Sequence, residues 1–204
     1  MKKALIGILV LLLLQSSFAH AAPTIDQNQP VVDLGIFYAM SHFYVGPFSQ
    51  SFQQASNNIA GAGIYLVGPP AGTAAATENI TIALYSALPT QGGSLLTSGT
   101  ASGTGGNWVD AFWNPYSVTP DTTYYLVFSS ADGTESLLSA GGDLYNPYSR
   151  GQAYSTSYAP YTPQAEYDYT FRTYTQTQVP EPASVLLLGL GLMGFAGIRR
   201  KFSH

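Results

Sequence analysis

The sequence predicts an all-β protein: a single β-sandwich domain, flanked by a signal-peptide helix at the N-terminus and a transmembrane helix at the C-terminus. Short runs of alternating or apolar residues recur between clusters of glycine, proline and other turn-forming residues, which is the pattern of strands joined by turns. No run between the two ends has the periodicity of an amphipathic helix. Nine strands are predicted, at residues 31–38, 44–54, 59–67, 80–88, 95–101, 108–118, 122–129, 152–157 and 167–175.

Two of these segments indicate where the core lies. Ile80, Ile82 and Leu84 alternate along one segment, so they share a face and predict a half-buried strand. Residues 123–128 are apolar on both faces, which predicts a central strand.

The N-terminal end predicts export. Two lysines precede an apolar run at residues 4–14 that is too short to cross a bilayer, and an A-x-A pattern follows at 19–21. This order is typical of a secretory signal peptide, here residues 1–21. Residues 22–30 are polar and lack periodicity, so we interpret them as a leader to a domain at 31–178.

Composition restricts the classes of function. The 204-residue chain has no cysteine, which excludes disulfides, thiolate metal sites and cysteine nucleophiles. Residues 23–178 contain ten acidic and two basic residues and no lysine. Such a surface cannot neutralise phosphates, so nucleic acid and anionic lipid head groups are poor partners. A neutral or cation-bridged ligand fits this charge better.

The C-terminal end contains the most hydrophobic segment. Residues 183–198 are apolar and uncharged, and at about 1.5 Å per residue they span roughly 24 Å, close to the roughly 30 Å hydrocarbon core of a bilayer. We predict a marginal transmembrane helix, with the positive charges that follow it in the cytoplasm and the domain outside. The residues that flank this helix are Val179, Pro180, Glu181, Pro182, Arg199, Arg200 and Lys201.

These three parts, in this order and spacing, resemble the PEP-CTERM sorting signal of exported proteins in Gram-negative bacteria that make exopolysaccharide. The resemblance covers residues 179–204. It implies processing near Pro180, Glu181 and Pro182 by an exosortase, a membrane-embedded transpeptidase-like enzyme. It also implies an inner-membrane precursor that is delivered to the cell surface or the extracellular matrix, and it leaves open whether the mature protein is anchored or released.

The domain is similar to the jelly-roll domains that often precede such sorting tails. The resemblance extends over residues 44–175 and implies a fold without an activity. The segments that carry it are 50–52, 64–66, 80–85, 124–128 and 167–172.

Catalytic patterns are sparse. Between the two ends the single histidine is His42, and no serine lies in a G-x-S-x-G turn, so no partners of a catalytic triad can be nominated. One histidine without cysteine also disfavours zinc. We therefore expect no enzymatic activity, and we expect His42 to lie in a partly exposed loop.

Glu166 and Asp168 are an acidic pair with several possible roles. Two positions apart on a predicted strand, they would share a face and could contribute oxygen ligands to calcium, which binds carboxylates and backbone carbonyls. Their spacing also fits the acid pair of a glycoside hydrolase. The plainer uses are solvation of a loop or an ion pair between Asp168 and Arg172, which continues the same face.

Aromatic residues are concentrated in the C-terminal part of the domain, where eight of the fifteen tyrosines lie between residues 145 and 174. A ring with a polar rim suits stacking on a sugar ring. Trp108 and Trp113 have opposite parity, so one should face the core and one the outside, and we assign the outside to Trp113. The predicted ligand-binding residues are Trp113, Tyr116, Tyr148, Tyr158 and Tyr161. By contrast, Tyr167, Tyr169 and Phe171 alternate as core residues do.

These observations favour a non-catalytic surface or matrix protein that associates with exopolysaccharide through many weak aromatic contacts. A purely structural or adhesive envelope protein is the first alternative. A glycan-processing enzyme that uses Glu166 and Asp168 is the second.

Overall fold

A computed structural model of the chain describes residues 21–39, 47–68, 77–130, 138–145, 147–156 and 159–177. Residues Pro23–Gln176 form one compact unit. Its described residues form thirteen strands and one short 3-10 turn at Pro89–Gln91. The strands are β1 (Thr24–Gln29), β2 (Asp33–Ala39), β3 (Phe48–Gln53), β4 (Asn58–Val67), β5 (Thr77–Tyr85), β6 (Leu95–Thr104), β7 (Trp108–Ser117), β8 (Thr123–Ser130), β9 (Ser139–Leu144), β10 (Ala153–Ser155), β11 (Thr162–Gln164), β12 (Tyr167–Tyr169) and β13 (Phe171–Thr175).

Within these ranges the strands form two antiparallel sheets. The seven-stranded sheet has the order β1-β13-β4-β9-β12, with β7 also paired to β4 and β2 also paired to β9. The six-stranded sheet has the order β11-β10-β3-β8-β5-β6. Aromatic rings join them across the core, with ring centroids 6.4 Å apart for Phe52 and Phe171 and 5.3 Å apart for Phe48 and Tyr169. The predicted all-β sandwich is confirmed, and it supports the jelly-roll resemblance.

The core follows the strand alternation that the sequence predicts. Ile80, Ile82 and Leu84 are fully buried. The segment that is apolar on both faces forms β8, which lies between β3 and β5 as predicted for a central strand. Tyr167, Tyr169 and Phe171 are also buried, which confirms their assignment to the core.

The segment predicted to be a leader is in fact a strand. β1 pairs with β13 at one edge of the seven-stranded sheet. Its buried positions are glutamines: the Gln27 backbone N–H donates to Thr173 Oγ1 at 3.1 Å, and Gln29 exchanges hydrogen bonds with the backbone of Val31. Because these buried positions are polar and hydrogen-bonded, the segment lacks the apolar alternation by which strands are recognised.

The last predicted strand divides in two. β12 pairs with β9, whereas β13 pairs with β4. The change of partner occurs at Thr170, whose N–H donates to the carbonyl of Gly141 at 2.9 Å and whose carbonyl accepts from the N–H of Tyr65 at 3.0 Å. β9 itself was not predicted, since its Ala-Gly-Gly centre has little β-propensity.

The two predicted flanking helices fall outside the described part of the chain, apart from Ala21 at the end of the signal peptide. Among the described residues, no helix is long and apolar enough to cross a membrane.

Candidate functional site

Several residues nominated from the sequence lie outside the described ranges. These are Val179, Pro180, Glu181, Pro182, Arg199, Arg200 and Lys201 of the tail, together with His42 and Tyr158. Their assignments therefore rest on the sequence.

The acidic pair predicted to share a strand face does not do so. β12 begins at Tyr167, so Glu166 lies in the preceding turn, where it is exposed, whereas Asp168 is fully buried. No group of three or more histidine or acidic side chains that could hold a metal occurs in the described ranges. The geometry thus supports neither a calcium site nor a hydrolytic acid pair at Glu166 and Asp168.

Asp168 instead holds the two sheets together. Its Oδ1 accepts a hydrogen bond from Gln50 Nε2 of β3 at 2.8 Å, and its Oδ2 accepts one from the backbone N–H of Tyr148 at 2.9 Å. Gln50 Oε1 in turn accepts from the N–H of Tyr169 at 3.0 Å. Burial raises the pKa of Asp168, and the two hydrogen bonds that favour the carboxylate only partly oppose this.

Tyr148 belongs to the same interior and not to a ligand surface. It is 8% exposed, and its hydroxyl donates to Gln27 Oε1 at 2.9 Å. Its ring lies edge-on to Phe171, with centroids 5.0 Å apart. Burial raises the pKa of Tyr148 to about 12. The prediction that Tyr148 faces a ligand is therefore wrong, because the segment that follows β9 folds back onto β1 and β12.

The tryptophans lie on opposite sides of the sheet, as their parity predicts, but with reversed roles. The indole N–H of Trp113 donates to the carbonyl of Ile59 at 3.0 Å, and both Trp113 and Tyr116 pack against the core cluster. Trp108 faces outward, beside Tyr65 and Arg172. The outer position is thus occupied by Trp108, and the pair Trp113 and Tyr116 supports the core.

The outer face of the seven-stranded sheet carries a cluster of aromatic rings around one ion pair. We call it the arginine face, and it consists of Tyr65, Trp108, Asp110, Phe112, Arg172 and Tyr174. The Arg172 guanidinium carbon lies 4.1 Å from the centroid of the Trp108 ring. The rings of Tyr65 and Trp108 meet edge to face with centroids 5.7 Å apart, and those of Phe112 and Tyr174 lie 4.9 Å apart.

Asp110 fixes the arginine face. It accepts two hydrogen bonds from Arg172, one of them from Nε to Oδ1 at 2.7 Å, and a third from the Tyr174 hydroxyl at 2.8 Å. Partial burial disfavours the charge of Arg172, but the hydrogen bond and the attraction from Asp110 outweigh it and raise the pKa of Arg172. Arg172 therefore pairs with Asp110, not with Asp168 as the sequence suggested, because the change of partner at Thr170 lies between Asp168 in β12 and Arg172 in β13.

Two glycines of β4 make room for this cluster. A Cβ at Gly63 would lie 2.1 Å from Asp110 Oδ1, and a Cβ at Gly61 would lie 2.6 Å from the Phe112 ring. Both distances are far below a van der Waals contact, so a side chain at either position would displace the group above it. The alternating Ala-Gly-Ala-Gly of this strand is the sequence signal that could have revealed the arginine face.

A second aromatic cluster lies on the outer face of the six-stranded sheet. We call it the tyrosine face, and it consists of Tyr85, Tyr125, Tyr154 and Tyr161. Tyr85 and Tyr125 are register partners, and the rings of Tyr125 and Tyr154 have centroids 5.9 Å apart. Burial, followed by the neighbouring phenol of Tyr85, raises the pKa of Tyr161 to about 12. Of the nominated tyrosines, Tyr161 is the one whose phenol interacts electrostatically with this face, through Tyr85.

Comparison with known proteins bears on the tail alone. The PEP-CTERM protein-sorting motif matches residues 178–201. No curated protein matches the chain. The motif agrees in position and content with the resemblance seen in the sequence, and it supports an exported protein that is anchored in the membrane before processing. The chain thus carries a PEP-CTERM protein-sorting motif and has the features of an exosortase substrate.

Proposed function

We propose that this exported protein is a non-catalytic glycan-binding module of the cell surface or extracellular matrix of a Gram-negative bacterium, and that its ligand is an exopolysaccharide of a biofilm. The observation that carries the proposal is the arginine face, where an exposed ring adjoins an ion pair held against a tryptophan. Such a surface combines the two elements of sugar recognition, a flat apolar platform and fixed polar groups.

The apolar part of the arginine face is accessible to a ligand. Phe112 is 52% exposed, and Ile25, which lies opposite Tyr174 in the register of β1 and β13, is 48% exposed. Large apolar side chains exposed together on a sheet typically mark a binding surface. A pyranose ring could stack its C–H face on Phe112 and Tyr174.

The polar part is preorganised. A guanidinium has five N–H donors, and Asp110 takes two of those of Arg172, so further donors remain for the hydroxyl groups of a sugar. Stacking on Trp108 and the paired hydrogen bonds fix the orientation of Arg172, which reduces the entropy lost when a ligand binds.

Charge supports a neutral polymer over an anionic one. Arg150 and Arg172 are the two basic residues of the domain, and each forms an ion pair, with Asp121 and Asp110 respectively. An acidic polysaccharide would have to compete with these aspartates and would meet the acidic surplus of the rest of the domain. A hydroxyl-rich, uncharged chain meets neither obstacle.

The test is binding of the protein secreted by its host to the host's own insoluble exopolysaccharide. Phe112→Ala removes the exposed ring and should weaken binding by about tenfold, since the loss of a ring contact costs about 1.4 kcal/mol. Tyr145→Ala is the matched control, because Tyr145 is 90% exposed and lies on neither face. Equal binding by wild type and Phe112→Ala would contradict the proposal and favour a purely structural or adhesive envelope protein.

The sorting part of the proposal has its own test. If Pro180, Glu181 and Pro182 form a processing site, the mature protein should lack Arg199 and the residues after it, and Glu181→Ala should accumulate in the inner membrane at nearly full mass. Intact mass measurement of the surface-exposed protein distinguishes the cases. A mature chain that ends in His204 would show a permanent anchor.

A further inference from the structure

We infer that the domain is bivalent: the tyrosine face is a second site for an uncharged polysaccharide, and one molecule joins two polymer chains. The inference rests on the proposed glycan-binding function and extends it to a cross-linking activity.

The tyrosine face is built from uncharged side chains. In β3, β5, β6, β8 and β10, the described side chains that point away from the core are serine, threonine, asparagine, glutamine, alanine, valine, leucine or tyrosine. Hydroxyl groups pair directly across strands there, as between Thr81 and Thr100 at 3.2 Å. An ionic ligand would find no counter-charge among these side chains, whereas the hydroxyls and rings of a neutral glycan match them.

The rings give this face its platform. Tyr125 of β8 and Tyr154 of β10 lie on the two strands that flank β3, Tyr85 adjoins Tyr125, and Leu95 opposite Tyr85 is 55% exposed.

Tyr161 is held at the tyrosine face against a backbone preference. Its φ of 52° is in the left-handed region, which is unfavourable for a residue with a Cβ. Glycine would adopt this conformation without that cost. Tyr161→Gly therefore removes the ring without adding backbone strain.

The two faces cannot bind the same sugar residues. The two sheets pack through their inner faces, so the arginine face and the tyrosine face point in opposite directions. A repeating polymer offers many equivalent sites, so a protein with two opposed sites bridges chains and gains avidity from both.

The test uses the secreted protein and the uncharged, soluble exopolysaccharide fraction of the producing culture. Tyr161→Gly removes the ring and relieves the strained backbone, so it should keep the melting temperature near that of wild type. Tyr145→Gly is a matched control, because Tyr145 has a φ of 81° and gains the same backbone relief while it lies on neither face. Tyr85→Leu is a second variant of the tyrosine face that keeps apolar bulk.

Light scattering measures cross-linking, and retention on immobilised polysaccharide measures binding. Wild type and Tyr145→Gly should raise the scattering of the polymer. Tyr161→Gly, Tyr85→Leu and Phe112→Ala should each remain bound, tenfold or more weakly, and should leave the scattering at its baseline. Size-exclusion chromatography should give a monomer.

Different failures identify different errors. Full cross-linking by both Tyr161→Gly and Tyr85→Leu would overturn the second site and leave the arginine face untouched. Cross-linking by a dimer of wild type that persists in these variants would likewise overturn bivalence. If Tyr161→Gly lost all binding while Phe112→Ala bound as well as wild type, the arginine face would be refuted as a site. The domain would then have one site, the tyrosine face.

Discussion

The two outer faces of the sandwich carry aromatic rings in opposite electrostatic settings. On the arginine face, Arg172, Asp110 and the Tyr174 hydroxyl form one hydrogen-bonded cluster beneath an exposed Phe112. On the tyrosine face, Tyr125 and Tyr154 lie side by side in a sheet surface of serine and threonine. One face is rigid because a charge pair fixes it, and the other is neutral throughout. Substitutions, pH and salt should therefore affect the two faces differently.

The largest effect should come from Gly63→Ala, which acts on the arginine face alone. The new Cβ would meet Asp110 Oδ1 at 2.1 Å and would force the carboxylate away from Arg172 and Tyr174. Breaking a half-buried, hydrogen-bonded pair by a steric clash should cost about 2–4 kcal/mol of unfolding free energy. Denaturant unfolding measures this loss, with Gly68→Ala as control, since a Cβ there meets no atom closer than 3.8 Å. An unfolding free energy equal to that of wild type would show that Asp110 moves without cost.

The next effect concerns the interior that both faces share. Asp168→Asn keeps the shape of the side chain but replaces one of its two acceptor oxygens with an NH2 group, which then faces either the donor Gln50 Nε2 or the donor Tyr148 N–H. Two donors that face each other without an acceptor should cost about 1–3 kcal/mol. Because Asp168 ties β3 of one sheet to β12 of the other, binding at both faces should weaken together. Selective loss at one face would contradict this role.

The same residue gives a pH dependence with a defined sign. Burial raises the pKa of Asp168 above its ordinary value of 3.8, so the folded state binds the proton more tightly than the unfolded state. The stability from this group is complete below pH 3.8 and is lost as the pH rises through the folded-state pKa. Comparison of unfolding curves of wild type and Asp168→Asn across this range isolates the contribution. A difference between them that grows as the pH rises would have the wrong sign.

The sequence revealed the strands whose alternation is apolar and missed those whose buried positions are polar or small. Ile80, Ile82 and Leu84 predicted β5, whereas the glutamines of β1 and the glycines of β9 gave no such signal. Burial of Gln27 is possible because Thr173 and Tyr148, far along the chain, supply its hydrogen bonds. Local patterns cannot contain that information.

Part of the arginine face could have been predicted from the sequence. Parity placed Trp108 and Trp113 on opposite sides of β7, but which side meets the core depends on how β7 pairs with β4. The partner of Arg172 is Asp110, 62 positions earlier, and a nearer acid on the same predicted strand was the natural choice. The glycines that lie beneath Asp110 and Phe112 were the usable clue, since a strand seldom contains alternating glycines unless another group packs closely over it.

A smaller effect should appear at the tyrosine face at high pH. The pKa of Tyr161 rises from 10.0 to about 12, so the stability that this phenol contributes is complete below pH 10 and is lost between about pH 10 and pH 12. Absorbance of the ionised phenols should show a late step to which Tyr161 and the buried Tyr148 both contribute, and this step should be smaller in Tyr161→Gly. Tyr145→Gly should keep it. A late step that survives unchanged in Tyr161→Gly would assign it to other tyrosines.

The smallest effect should be that of salt, and it tests whether the ligand is neutral. Binding of an uncharged polymer displaces no counterions, and the Arg172–Asp110 pair is partly buried and therefore weakly screened. Raising sodium chloride from about 0.05 M to about 1 M should weaken binding at the arginine face by less than about twofold and leave the tyrosine face unchanged. Phe112→Ala and Tyr161→Gly isolate the two contributions, because each leaves the opposite face intact.

A loss of tenfold or more at either face would mean that the polymer is charged, since such a strong dependence on salt requires ionic contacts that salt can displace. An anionic polymer would then have to bind Arg172 in competition with Asp110, and Asp110→Asn should strengthen its binding, whereas the same substitution should weaken the binding of a neutral polymer by loosening Arg172 and Tyr174.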